Sequence, residues 1–212
     1  MSNLIREAFK KVKEDVTSLS EKINKDRDDI AKIQEEILYN AKDREVAARF
    51  KDSFSKRPDA LKYPNDILEL AKQGATSFHA SEELWRNPLQ LNPNMRKHEL
   101  DALRIGWDLI IDIDCPYWEY SKLIAKFVID SLKEHNVKSI SCKFSGNKGF
   151  HIGVPFEAFP KSISGKDTRM RFPDDVRLIA SYLVNHIDVG GSFTKEILSK
   201  GISELIEKTG KS

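Results

Sequence analysis

Residues 143–154 read KFSGNKGFHIGV. Apolar residues flank the turn Ser145-Gly146-Asn147-Lys148-Gly149, whose glycines permit positive φ and close approach of a ligand to the backbone amides. Asn147 tolerates the same backbone region, Ser145 brings a hydroxyl and Lys148 a mobile cation. The flanking segments KSISCKFS and GFHIGVPF read as two strands joined by this turn. His151 follows Gly149 by two residues, so it faces the side shared by Gly149 and Gly153, which is kept clear of bulk.

Upstream lies WDLIIDID, residues 107–114, a β-branched apolar run that predicts a buried strand. Asp112 and Asp114 stand two apart and so project together, with roots about 7 Å apart, while Ile111 and Ile113 point into the core. Two like charges buried side by side each disfavour the other's ionisation. A divalent ion removes that conflict, and carboxylate oxygens suit Mg²⁺ or Mn²⁺. The competing reading has Asp114 capping the next helix, Asp112 paired with an arginine, and SGNKG as a plain hairpin.

Between and beyond these strands the pattern is helical. Pro116 ends the strand, and YWEYSKLIAKFVIDSLKEHN places Leu123, Phe127, Ile129 and Leu132 on one face. DDVRLIASYLVNHI predicts a second helix beginning at Asp174 or Asp175. The order β-α-β-β-α opens an RNA-recognition-type, split β-α-β sheet, and the tail from VGGSFTKEI onward reads as a glycine turn and helix, not a fourth strand.

The first forty residues are of another kind. Ile5, Phe9, Val12, Val16, Leu19, Ile23, Ile30, Ile33 and Ile37 recur at alternating spacings of four and three, with Asp26 in the one polar slot. This predicts a long amphipathic helix over 1–40 with coiled-coil periodicity, or a helical hairpin broken near NKDRDD. It packs on its own domain or docks a partner. The remainder, 41–212, reads as one α+β domain: AKDREVAARF continues or restarts a helix, ILELAKQGA is a short helix, and TSFHASEELWRNPLQLNPN is a stretch of turn residues.

Composition bounds the rest. The chain has 212 residues, 40% hydrophobic and 32% charged, with a net charge of +2, so any basic surface is local. No apolar run approaches a membrane span, and the charged N-terminus lacks a signal-peptide pattern, so a cytoplasmic location without membrane attachment is expected. Two cysteines, Cys115 and Cys142, cannot make a four-ligand zinc site, and free thiols are expected.

IIDIDC, followed after one helix by KFSGNKGFHIGV, resembles the catalytic core of the archaeo-eukaryotic primases, above all their small catalytic subunit. The resemblance covers about residues 40–190 and implies a primase-polymerase core. By position it implies Asp112 and Asp114 as catalytic metal ligands for Mg²⁺ or Mn²⁺. It implies Ser145, Asn147, Lys148, Gly149 and His151 as the site for the phosphates of an incoming NTP or dNTP. The segment DREVA resembles the family's arginine-bearing segment, which brings Arg44 to the nucleotide. Asn147 stands where many members carry a second basic residue, and the family's zinc cluster has no counterpart, so no structural zinc is expected.

The third metal-binding aspartate of the family has only Asp188 as a nearby counterpart, at a helix end. The expectation is therefore a truncated chain or one piece of a split enzyme. A second chain or primase large subunit would complete the site, acting on single-stranded DNA template and nucleoid-associated during replication. Three readings stay open: a primase making short primers, a primer-dependent gap-filling polymerase of the same superfamily, and a non-catalytic nucleotide- or nucleic-acid-binding subunit. Lys42, Arg44, Arg49, Lys51, Lys56, Arg57 and Lys62 are candidate template-backbone contacts, and Phe78 and Trp85 candidate stacking residues, with Trp107 assigned to the core.

Overall fold

A computed structural model describes residues 3–146 and 148–189, with side chains described for 11–146 and 148–187. They form an α+β protein divided into two compact units at Ser81, with Pro88–Gln90 counted in the first.

In the first unit, α1 spans Asn3–Ala41 as one uninterrupted helix. The hairpin alternative fails because NKDRDD contains neither glycine nor proline, and the apolar period runs through it unshifted. Val12, Val16, Leu19, Ile23, Ile30 and Ile33 are each more than half exposed. Among the described side chains the end of the helix packs, with Ile37 and Leu38 against Ala41, Val46, Leu61 and Ile67.

The helix expected over AKDREVAARF ends at once. Asp43 takes a left-handed conformation at φ 59°, which aspartate tolerates, and the Arg44 N–H closes back on the Ala41 carbonyl at 3.1 Å. The chain then enters β1, Val46–Phe50, whose first three residues are buried. Strands β2 (Ser53–Phe54) and β3 (Ala75–Ala80) flank β1 on either side, and α2 (Pro64–Lys72) lies between them in sequence. Within TSFHASEELW, residues 76–80 and 83–85 are thus strand, not turn, with Ser81 and Glu82 between them. Val46 to Arg49 pair in antiparallel register with Ala80 to Ser77, so tertiary pairing overrides a composition rich in serine and alanine.

In the second unit β4 (Glu83–Trp85) pairs with β5 (Arg104–Trp107) after α3 (Lys97–Leu103). Arg104 is buried and holds both Asp101 and Glu83 through its guanidinium. The Arg104 guanidinium also lies over the Trp85 ring, 5.3 Å from its centre.

The second sheet contains β6 (Leu109–Asp114), β7 (Ser141–Phe144) and β8 (Gly149–Val154) in the spatial order β6-β8-β7, all antiparallel neighbours. Helix α4 (Trp118–Glu134) connects β6 to β7, and α5 (Asp174–Val189) follows two short strands, β9 (Ser162–Ile163) and β10 (Lys166–Asp167). Both helices pack on one face of the sheet, where Leu109, Ile113, Ile152 and Val154 meet Ala125, Val128, Leu132 and Leu183. Trp107 is fully buried and donates its indole N–H to the Thr168 carbonyl at 2.9 Å. No helix among the described residues is long and apolar enough to cross a membrane.

Candidate active site on the open face of the sheet

Strand β6 is buried on one face only. Leu109 and Ile113 are buried, while Ile110, Asp112 and Asp114 are exposed. The expectation of a strand buried on both sides therefore gives way to an amphipathic antiparallel strand with alternating faces. Asp112 and Asp114 share the outward face, as their spacing requires, but water reaches them. Asp112 has 65% of its side chain exposed, so no cost of burying like charges demands an ion there.

The ladder places the other candidates beside them. Asp112 lies opposite His151, and Asp114 opposite Gly149. His151 Nε2 sits 3.4 Å from Asp112 Oδ1, close enough to steer the ring without a short hydrogen bond. Across β8 the row continues to Lys143, which lies opposite His151 on β7. One row of the open face therefore reads Asp112, His151, Lys143.

Two glycines keep this face flat. A Cβ on Gly149 would lie 1.5 Å from the Ile113 carbonyl oxygen, and one on Gly153 would lie 2.7 Å from Ser141 Oγ. Only glycine permits β8 to sit this close to β6. Gly146 has φ +89° with open space around it, which is turn chemistry rather than packing.

Ser145 closes the turn in both directions. Its N–H donates to the Gly149 carbonyl at 2.8 Å, and its Oγ accepts the Gly149 N–H at 3.1 Å. Lys148 is exposed and has no ion-pair partner among the described residues. Asn147 lies outside the described residues, and so do the side chain of Asp188 and the tail read as glycine turn and helix. Beneath the turn, Trp118 packs against Phe144 and Phe150 with ring centres 5.4 and 5.2 Å apart, anchoring both strand ends.

Arg44 belongs to the first unit, in the turn between α1 and β1, where its guanidinium donates to the Ser81 carbonyl at 2.8 Å. Arg57 forms a two-pronged pair with Glu45, a carboxylate only 6% exposed, which raises the pKa of the guanidinium further, chiefly through that hydrogen bond. The pair gives Arg57 a structural role, while 63% of its side chain stays exposed. Trp85 is buried. Both cysteines are free thiols.

Among the described residues no group of three His, Cys, Asp or Glu side chains is arranged to hold a metal. The two carboxylates nonetheless suit Mg²⁺, which keeps several waters and commonly takes one or two carboxylates plus phosphate oxygens. An apolar cavity of about 540 Å³, lined in part by Leu109, Leu132, Val154, Phe159 and Leu183, lies on the helix side of the sheet, away from these groups.

No protein-family model matches the chain. It is 46% identical over 112 residues to an uncharacterized protein of Methanocaldococcus jannaschii, MJECS07, an alignment covering 51% of this chain and 24% of that protein. The chain thus matches about a quarter of the length of this curated relative, whose name states no activity.

Proposed function

We propose that the second unit is the catalytic core of a primase-type nucleotidyltransferase, which builds short primers on single-stranded DNA from NTPs. The observation that carries this reading is the shared face. Asp112 and Asp114 stand in register with His151 and beside the Lys148 turn, on a sheet face that the helices leave open. The likeness of IIDIDC and KFSGNKGFHIGV to the primase motifs supplies the reaction class.

In this reading Asp112 and Asp114 hold Mg²⁺ or Mn²⁺. An ion held there would supply charge to offset the phosphates and to favour deprotonation of an attacking 3′ hydroxyl. His151, steered by Asp112, donates a hydrogen bond to a phosphate oxygen, and Lys148 adds charge from the adjoining turn. Ser145 holds the two strand ends so that Lys148 stays at the edge of the face. Any further carboxylate comes from residues outside those described, or from a companion chain such as a primase large subunit.

Incubating the protein with a single-stranded template, labelled NTPs and Mn²⁺ tests the reading. New short products are expected, absent in Asp112→Asn with Asp114→Asn. Products formed only from an annealed primer would favour a gap-filling polymerase. Nucleotide binding without incorporation, companion chain included, would favour a non-catalytic subunit, which the lack of a third carboxylate among the described residues also fits.

A further inference from the structure

We propose that the outer face of the first unit's sheet is a stacking platform for single-stranded nucleic acid, where Phe54 and His79 meet bases and Arg49 meets the phosphate backbone. The inference rests on the single-stranded template of the reading above and gives that strand a binding surface in the first unit.

The two faces of this sheet differ. On the inner one Ala48 lies opposite Phe78, and Phe78 packs against the core of the unit, which spends that ring on packing. One residue along, the direction reverses. Ala47 pairs with His79, while Arg49 pairs with Ser77 on one side and with Phe54 on the other, so these side chains share the outer face. Phe54 and His79 come from the two strands that flank β1, yet their ring centres lie 5.1 Å apart, edge to face, which the small side chain of Ala47 between them permits. The Arg49 guanidinium lies over the Phe54 ring, 5.8 Å from its centre. Ser77 Oγ and His79 Nε2 are 3.0 Å apart, a hydrogen bond that orients the imidazole.

Exposure and charge select the occupant. Phe54 is 52% exposed although an imidazole and a guanidinium hold its ring, so part of the ring surface is open to a flat ligand. Residues 42–62 carry seven cations and four acids, an excess larger than the net charge of +2 on the whole chain. Of those acids, Glu45 is held by Arg57, and Asp59 accepts the Ala60 N–H. Arg49, Lys51 and Lys56 form no ion pair among the described residues. Exposed rings set among uncompensated cations suit a single strand, whose bases stack whatever their sequence and whose phosphates supply the negative charge. An apolar protein partner matches the face less well, because Arg49, Ser77 and His79 are what share it with Phe54.

Fluorescence anisotropy of the full chain with labelled oligo(dT), and with an abasic strand carrying the same phosphates, tests the platform. Phe54→Leu is expected to weaken oligo(dT) binding about tenfold and to leave abasic binding unchanged, with Phe54→Tyr close to wild type. Arg49→Gln is expected to weaken binding of both strands and to reduce the salt dependence by about one phosphate contact. Oligo(dT) affinity unchanged in both Phe54→Leu and Arg49→Gln would overturn the platform, and wild-type protein that still makes primers would leave the primase reading standing. The expected losses in a protein that incorporates no nucleotide would keep the platform and remove that reading instead. A loss in Phe54→Leu shared equally by the abasic strand would mean that no base stacks there, and would overturn the proposal. Wild-type self-association that Phe54→Leu dissolves, with oligo(dT) binding unchanged, would make the face an interface between copies and also overturn it.

Discussion

His151 faces Asp112 across the β6–β8 ladder, with Nε2 3.4 Å from Oδ1, and both side chains look out from a sheet whose other face is closed by two helices. The contact links the strand carrying the carboxylate pair to the strand that leaves the glycine turn. A slip of one residue in this register would put the two groups on opposite faces of the sheet. The geometry of the face is therefore secured by the apolar residues behind it, Ile113 and Ile152 among them.

Gly149 is the point where that register is most sensitive. Gly149→Ala would set a methyl against the Ile113 carbonyl, and an expected loss of about 1–3 kcal/mol follows from forcing the strands apart. Gly146→Ala meets no atom within 4 Å but must hold φ +89°, so a loss of about 1–2 kcal/mol is expected from the backbone alone. Urea unfolding measures both. Only Gly149→Ala is expected to weaken nucleotide binding by displacing His151.

Arg57 separates a structural cation from a nucleic-acid contact. Its removal in Arg57→Ala leaves the Glu45 carboxylate buried without its partner, with an expected loss of about 1–2 kcal/mol in the unfolding free energy, since the arginine itself is largely exposed. Affinity for a single-stranded oligonucleotide, measured below the unfolding transition, is expected to stay within about twofold of wild type. A large loss of affinity in a folded variant would make Arg57 a template contact as well.

Asp101 gives a pH signature. Burial pushes its carboxyl up, but the hydrogen bonds from Lys97 and Arg104 outweigh burial and hold it below the usual carboxylate range. With the folded value depressed, the stabilisation is present above the unfolded value of about 3.9 and is lost as pH falls through the folded value. Asp101→Asn is therefore expected to be about 2 kcal/mol less stable near neutrality. The difference should shrink below about pH 4. A difference that persists unchanged in acid would show that shape, not charge, is what the substitution removes.

Much of this face was legible in the sequence. Period two in LIIDID puts both aspartates on one side, and the glycines of SGNKG mark a turn between strands. The first unit was harder to read. DREVAARF has the alanine, arginine and glutamate of a helix, and only a left-handed Asp43 and pairing with β3 turn it into a strand. The exposure of Asp112 was hidden because an apolar run reads alike whether one face or both are covered. NKDRDD held the opposite lesson, since charge alone does not break a helix whose apolar period continues.

The most direct measurement is the binding of Mn²⁺ with ATP followed by the electron paramagnetic resonance of the free ion. Wild-type protein is expected to take up the ion in the presence of ATP. Asp112→Asn with Asp114→Asn is expected to lose uptake by tenfold or more, and His151→Ala to lose it through weaker ATP binding. Uptake by the double variant equal to wild type would contradict a metal–nucleotide site on this face.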